Sequence, residues 1–491
     1  MSNQPEILKY AVTGPWGELK PARQSMALAD IILAAGFEPL TIDTGNGFYT
    51  AGIAKEWRVS EDRRQVTFLL NLDKRFSDGT QISSFLYKEA MLDSLRQAPI
   101  YKNQATRDVF YALVGFEDFL HSNDIVGINT PSADTLVLSF KRPYRDILME
   151  ISGIRYSIYK KNDKGQHLGT GPYIMEEISD RQIHLRKNPY YFPQPSIENI
   201  VIDNLDREQF QIALCEAKYD YYLIPPYQSR DTLCQKNSSI FSYEEIPSKL
   251  DTHLFLGIND KSNNILSNHR FRLLFEKLFY SEFDKLNDLK NYKTIPEIQF
   301  FLPTQPGRLE MEELTNYRSI TETEKVELIK AIKQKPLFIL TGLGQENRFH
   351  KLISAYLQEL GIDIHPNSRT ISFTEFQHLD QLQEDWDIYY ASTSIGCDDP
   401  DGLYHLFGKH GALTMLPFER PLLQNTLEHA RSLLEFSQLH EAYKEVNRTI
   451  FSEIPAIHLG YSSFSVYYNE NTIEFRGRGS SMFFLQNYSW K

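Results

Sequence analysis

The chain has 491 residues, a net charge of −12, 41% apolar residues and 24% charged residues. That length exceeds what one hydrophobic core supports, so two or three lobes are expected, and the composition is that of a folded globular protein. The acidic balance, with no long basic run, excludes nucleic acid and anionic membrane surfaces as partners, and no segment approaches the roughly 18 apolar residues of a membrane span.

Aromatic residues make up 13% of the chain, with 28 Tyr and 31 Phe. Most are expected in cores, some along a ligand cleft. The three cysteines, Cys215, Cys234 and Cys397, are too few for a disulfide framework. They allow one bridge at most, and none is expected. The opening "MSNQPEILKYAV" lacks a charged region followed by an apolar one. It reads either as a cytoplasmic start or as a chain whose leader has been removed.

In chain order, residues 7–12, "ILKYAV", read as a buried strand. Residues 24–36 read as a helix stopped by Gly36. "GIAKEWRVSEDRRQVTFLLNLDKRFSDGT" reads as two strands about a polar turn, closed by a second turn at "SDGT". Residues 84–96 have the spacing of an amphipathic helix, and "DIVGINTPSADTLVLSFKRP" returns to strand, turn and strand. After "GTGPY", strands are predicted at Tyr173–Ile178, Gln182–Arg186 and in "IENIVIDNL". A helix over 207–217 and the strand "YDYYLIP" follow.

Beyond residue 250 the pattern changes. "THLFLGIN" reads as a strand and "HRFRLLFEKLFY" as a helix. "KPLFILTG", "RFHKLISAYLQELG" and "IDIHP" form a strand–helix–strand unit with Gly361 as the helix stop. "WDIYYAS", helices over 421–435 and 437–453, and a strand "AIHLGYSS" complete the series. Neither a repeat nor a low-complexity linker separates the lobes.

The stretch "SIGCDDPDGLYHLF" (394–407) concentrates Cys397, Asp398, Asp399, Asp401 and His405. Carboxylates this close in sequence do not guarantee the 5–9 Å pair of a glycosidase, whereas Asp-Pro followed by Gly402 is turn chemistry. His405 and His410 with the nearby acids are a weak metal signature. A metal centre needs three or four converging ligands, and His350, His365 and His378 are scattered. "GTGPY" lacks the lysine and helix of a phosphate loop, and no nucleophile elbow of the G-x-S-x-G type occurs. Met26, Tyr389 and Tyr390 are candidates either for core or for a cleft wall.

Six segments together resemble one family. "LKPA" (19–22), "GFEPL" (36–40), "GIAKEWRVSEDRRQVTFLLNLDKRFSDGTQISS" (52–84), "GTGPY" (169–173) with "LRKNPYYF" (185–192), "LGIND" (256–260), and "YLQELGIDI" (356–364) with "DPD" (399–401) are similar to the large solute-binding proteins of bacterial ABC importers, the group that includes peptide- and nickel-binding proteins. The resemblance implies an α/β, two-lobed periplasmic-binding-protein-like fold of type II, large class, with an extra inserted lobe and a hinge. Lobe I would comprise 1–40, 153–250 and 465–491; lobe II, the insert, 41–152; and lobe III, 251–464. It also implies a monomer, periplasmic or anchored at the cell surface. Such a protein captures a small, peptide-like solute between lobes I and III without cofactor, metal or catalysis, and works with a membrane permease of an ABC importer. A non-peptide solute (a metal chelate or a sugar-like molecule) and a cytoplasmic ligand sensor are the alternatives.

By the same resemblance, one wall of the site falls at Ser25, Met26 and Ala27. The other falls at Thr393, Ser394, Ile395, Gly396, Cys397 and Asp398, where an extended peptide would pair as an added strand. Peptide-binding members carry an aromatic residue seven positions before the proline of this turn and an ammonium-pairing Asp four before it. Here those positions are Thr393 and Gly396. Asp398 or another acid must serve instead, or the ligand has no free amine.

Overall fold

The structure is a computed structural model. It describes residues 7–23, 26–45, 48–97, 105–225, 241–245, 252–259, 262–281, 295–341, 348–372, 375, 382, 385–394, 399–408, 420–476 and 484–491. The chain divides into two compact units. The first comprises Met1–Pro225, Asp231–Lys249 and Phe464–Lys491, and the second Pro226–Arg230 and Leu250–Ser463.

The first unit is built on a seven-stranded sheet. Its strands, in spatial order, are Tyr173–Ile178, Gln182–Lys187, Asn199–Asn204, Ile7–Val12, Tyr221–Ile224, Ser465–Asn469 and Phe241–Glu245. "ILKYAV" lies inside this sheet. It pairs in parallel with Asn199–Asn204 over its whole length, Ile7 opposite Asn199 and Val12 opposite Asn204, and with Tyr221–Ile224 on its other side. Tyr221, Tyr222, Leu223 and Ile224 are all buried, so this strand is covered on both faces. The helix Arg207–Cys215 between two of these strands starts with a reciprocal cap in which the Asp206 carboxylate accepts from the Gln209 amide and the Gln209 side chain returns to the Asp206 amide.

The same unit holds a second core. A four-stranded antiparallel sheet, in the order Ala54–Val59, Gln65–Leu70, Thr135–Ser139, Ile128–Ser132, alternates buried and open positions along Gln65–Leu70. It buries Val66, Phe68, Leu136 and Leu138 with Tyr87 and Met91 of the helix Ser84–Gln97. One covered face and one open face is the behaviour of an antiparallel sheet.

Three of the sequence blocks that carry the resemblance, 36–40, 52–84 and 169–173 with 185–192, meet physically in this unit. The "GTGPY" backbone lies flat against the end of the first helix. The Gly171 amide donates to the Gly36 carbonyl at 3.0 Å and the Tyr173 amide to the Ala35 carbonyl at 2.8 Å, while the Ser77 amide of the "SDGT" turn donates to the Gly169 carbonyl at 2.9 Å. Glu38 of "GFEPL", almost fully buried, takes both its oxygens to Lys74 Nζ at 2.7 and 2.8 Å, and that ammonium lies 5.3 Å from the Tyr191 ring of "PYYF". Burial pushes the Glu38 carboxyl up, and Lys74 opposes the shift. These motifs are therefore joints of the scaffold.

A methyl group at Gly171 would lie 2.4 Å from the Gly36 carbonyl carbon and 2.6 Å from the Phe37 nitrogen, both of them main chain. Gly171→Ala is thus expected to cost about 3 kcal/mol, the upper part of the range for overpacking. A urea unfolding series reads this as a lower midpoint at unchanged slope, and a wild-type midpoint would refute the close approach.

The second unit has a six-stranded sheet in the order Ile295–Pro296, Ala456–Ser462, Thr252–Ile258, Ile388–Ser394, Ile339–Thr341, Arg369–Thr370. Successive residues feed opposite faces. Leu254, Leu256, Ile258, Ile388, Tyr390, Ile457 and Leu459 enter one core with the helix His269–Ser281. Phe255, Tyr389, Ala391 and Ala456 enter another with the helices Pro421–Ser432 and Phe436–Glu453. Burial on both faces explains the unbroken apolar runs read from the sequence.

Several elements differ from expectation. The first helix spans Ala27–Leu33, later in start and shorter than 24–36. "IDIHP" forms only a single parallel bridge, Leu337 with Ile364, and Pro366 has no amide to extend it. The strand after the helix Arg348–Glu359 is instead Arg369–Thr370. The helices Met311–Arg318 and Glu322–Ile332 and the strands Ser465–Asn469, Ile473–Phe475 and Tyr488–Trp490 were not anticipated. Nor was a bridge: Cys215, at the end of its helix, is disulfide-bonded, with a partner outside the described residues. Among the described residues no helix is long and apolar enough to cross a membrane.

Candidate functional site

Of the expected wall positions, Met26, Ala27, Thr393 and Ser394 fall within the described residues, and Ser25, Ile395, Gly396, Cys397 and Asp398 fall outside them. The two segments belong to different units. Met26 is the residue before the helix Ala27–Leu33. Its backbone is extended (φ −118°, ψ 135°), and its carbonyl accepts from the Asp30 amide at 3.2 Å. Its side chain is half-buried against a small core formed by Ala29, Leu33, Phe37, Ala90, Ile154 and Tyr159. Ala27, also half-buried, is the first helical residue, so any larger side chain there changes the local surface directly.

In the second unit, Thr393 and Ser394 end the strand Ile388–Ser394. This strand pairs with Thr252–Ile258 along its full length, Thr393 opposite His253 and Ser394 opposite Thr252. On its other edge, Ile339–Thr341 accompanies it from Ile388 to Tyr390. Tyr389 and Tyr390 are both buried and serve the two cores, which assigns them to packing.

The acid cluster resolves into a turn. Asp399 caps the short 3-10 turn Pro400–Gly402, its carboxylate accepting from the Asp401 amide at 2.8 Å. Asp401 is buried and pairs with Arg431, whose Nε and Nη2 lie 3.1 and 2.9 Å from the two carboxylate oxygens. The Tyr443 hydroxyl is 3.3 Å from Oδ1, and the Arg431 guanidinium lies 3.7 Å from the centre of the Tyr404 ring. The second acid of "DPD" thus anchors the turn that follows the expected wall, with a fork-to-fork geometry that fixes orientation as well as distance.

Among the described residues, the histidines that the sequence reading singled out do not converge. His405 is half-buried on the short helix Leu403–Phe407, and His365 stacks on Phe338 with ring centres 5.2 Å apart. His378 and His410 lie outside the described residues, and His350 lies on a helix without a described side chain. Among the described residues no group of three or more His, Cys, Asp or Glu is arranged to hold a metal ion.

Two features escaped the sequence reading. His253 and His458 are buried side by side, Nδ1 to Nε2 at 3.1 Å, with Phe300 packed against both rings. Burial lowers both, His253 to about 4 and His458 well below the usual imidazole range. Asp30, in the first turn of the helix Ala27–Leu33, has its Oδ1 sealed from solvent without a hydrogen-bond partner. A first-turn Asp is so common at helix starts that nothing in the sequence singles it out.

Residues 49–273 match the family model described as bacterial extracellular solute-binding proteins, family 5 Middle. The nickel-binding periplasmic protein of Escherichia coli (strain K12) is 25% identical over 179 residues, which is 34% of this chain and 31% of that protein. The chain therefore aligns with about a third of the length of that curated relative. Its fold is similar to that of the Escherichia coli murein tripeptide binding protein, with a TM-score of 0.81 and 14% identity over 100% of this chain and 99% of the other. It is also similar to a periplasmic binding protein from Helicobacter pylori solved in complex with a peptide, with a TM-score of 0.77 and 18% identity over 99% and 98%. The fold is thus the mixed α/β, two-lobed fold of periplasmic binding proteins, and residues 49–273, somewhat less than half of the chain, are similar in sequence to the bacterial extracellular solute-binding proteins of family 5.

Proposed function

We propose that this protein is the solute-capturing component of an ABC importer and that its solute is peptide-like. It acts as a monomer in the periplasm or anchored at the cell surface, binds without bond making, and delivers to a membrane permease by the lobe closure that the resemblance implies. The observation that carries this reading is the agreement in fold, over essentially the whole chain, with a murein tripeptide binder and with a protein solved around a peptide. The separate apolar core of the four-stranded sheet supports treating 41–152 as an inserted lobe. The disulfide at Cys215 supports an oxidising compartment over a cytoplasmic sensor, because such bridges persist outside the reducing cytosol.

In this reading Ser25, Met26 and Ala27 form one wall and Thr393 to Asp398 the other. The extended backbone at Met26 and the strand end at Thr393 and Ser394 are suited to main-chain recognition, which tolerates varied side chains. The sequence identity to a nickel-binding protein favours a second reading, a metal chelate.

A thermal-shift screen decides between them. A ligand at a hundred times its Kd stabilises by about 2.7 kcal/mol through mass action, so short peptides are expected to raise the melting temperature while nickel with histidine as chelator is not. The reverse pattern establishes the chelate reading. Ala27→Trp is expected to abolish the peptide response and leave the unliganded melting temperature within a degree or so, since exposed or half-exposed substitutions away from cores cost little. A full response in that variant moves the wall elsewhere.

A further inference from the structure

Two imidazoles face each other in the core of the second unit, where leucines would fill the space without a polar atom. His253 and His458 both have 0% exposure, and Nδ1 of the first lies 3.1 Å from Nε2 of the second. A neutral pair shares one hydrogen between these atoms, so the outer nitrogens carry one N–H and one bare lone pair. Both outer atoms, His253 Nε2 and His458 Nδ1, are sealed from solvent without an aligned hydrogen bond. Buried polar atoms left in this state are rare enough to need a reason.

Their place in the sheet supplies one. His253 stands opposite Thr393 on one side and Tyr461 on the other, so the pair sits where the strands Thr252–Ile258, Ile388–Ser394 and Ala456–Ser462 share an end. The register slips beside it. Phe255 faces His458 but Leu254 faces Gly460, whose φ of 147° lies in the region that favours glycine. Such a bulge re-aims side chains, and here His458 becomes the diagonal neighbour of His253. Phe300 covers both rings, at 6.0 and 4.4 Å between centres, and Phe407 meets Phe300 edge-on.

The groups around the pair offer a proton no counter-ion. The helix His269–Ser281 brings Tyr280, whose hydroxyl accepts from the His458 amide at 3.0 Å, and the buried Glu276, whose charge acts on Tyr280. The segment after Ile295–Pro296 brings Arg308, which opposes a proton on His458, and Glu297, whose carboxylate is held by Arg308 at 2.6 Å and whose main chain favours that proton. Among the described residues no carboxylate bonds to either ring. We propose that this pair is a proton-operated latch: neutral, it ties together the shared ends of three strands; with protons bound, it parts and lets those ends open while the rest of the second unit stays folded. A first proton brings an unpaired charge into a sealed apolar site, and a second sets two donors against each other. The closed pair therefore resists protons, His253 down to about 4, whereas freed imidazoles take them near 6.5. The open form binds more protons, so it gains as pH falls below about 6.5. Glu276, raised by burial, has the opposite sign and favours keeping its own helix closed in acid. The latch needs no assumption about where the solute sits.

The test is native-state hydrogen exchange of the full chain at about pH 7 and 5.5, corrected for the intrinsic exchange rate, which reads local opening residue by residue. Each freed imidazole multiplies the opening equilibrium about eightfold over this interval, and two multiply it about 70-fold. The expected result in wild type is therefore a loss of protection of about 70-fold at the amides of 252–254, 391–393 and 459–461. The helix Phe436–Glu453 of the same unit and the strand Ile7–Val12 of the other should keep theirs. His458→Leu is expected to reduce the loss to about eightfold, and His253→Leu/His458→Leu to remove it. A loss spread evenly over the whole second unit overturns the proposal, because it describes acid unfolding without a latch. The same pH dependence in wild type and the double variant overturns it too. The wild-type profile alone separates local from global opening, so the proposal stays testable if a variant does not fold. None of these outcomes bears on the peptide reading, which the thermal-shift screen tests separately.

Discussion

Arg431→Met is expected to destabilise the second unit by about 3–5 kcal/mol, the cost of breaking a buried pair by removing one partner. The guanidinium and the Asp401 carboxylate are both almost wholly shielded, with side-chain exposures of 1% and 4%. Two nitrogens of the one reach two oxygens of the other, and the Tyr404 ring covers the guanidinium. Without the arginine, the carboxylate stays buried and keeps the Tyr443 hydroxyl beside it. Asp401→Leu strands the arginine instead and is expected to cost a similar amount. A double variant, Asp401→Leu with Arg431→Met, is expected to recover most of the loss, because apolar replacement of a whole buried pair is often neutral or better. Urea unfolding of the three variants measures the coupling directly. Additive losses in the double variant would show that the pair is not the source of the cost. In the chain this turn follows directly on the wall proposed at Thr393 to Asp398, and if that proposal holds the single variants also weaken solute binding more than their fold alone requires.

Acid is expected to weaken the second unit through the histidine pair. An imidazole with its pKa near 6.5 when unfolded and depressed when folded binds its proton more readily in the unfolded chain. The stability it confers is complete above about pH 6.5 and is lost as pH falls toward the folded value, at about 1.4 kcal/mol per pH unit for each group. For His253, whose folded value is about 4, the window is pH 6.5 to 4 and the loss about 3 kcal/mol. His458 is lowered further by burial and by the charge of His253, and it extends the effect in the same direction. Glu276, a buried carboxyl pushed well up by desolvation, acts with the opposite sign over part of this range. The slope is therefore read as a difference between wild type and the double variant His253→Leu/His458→Leu. That difference should shrink steadily between pH 6.5 and 4. Parallel stability curves would mean that the pair does not titrate on unfolding.

The strands and most helices were legible because their burial is periodic or continuous. "QVTFLL" alternates and becomes a one-faced strand, while "YYLI" and the "LFL" within "THLFLGI" are continuous apolar runs and become strands covered on both sides. The helix Glu322–Ile332 was overlooked although Thr321 and Glu324 carry the spacing of a reciprocal cap, which the structure forms. Its mostly open surface lacks the apolar stripe that draws attention. "SVYYN" was overlooked as a strand because its pairing partners, Tyr221–Ile224 and Phe241–Glu245, lie more than two hundred residues away. The turn at "DPD" could be read from local chemistry, but the arginine that locks Asp401 thirty residues on could not. The bridge at Cys215 depends on distances no spacing encodes. The proposed wall would act through main chain and so leaves no side-chain signature, and its placement rests on resemblance alone.

The central sheet of the first unit sets an order on biosynthesis. Strand Ile7–Val12 leaves the ribosome early, yet Ser465–Asn469 sits between Tyr221–Ile224 and Phe241–Glu245 in the same sheet. At ~5–20 residues per second, the amino-terminal half waits some tens of seconds for the piece that closes it. During that interval strand edges stay open and vulnerable to wrong pairing. Completion of this sheet is thus deferred until Ser465–Asn469 arrives.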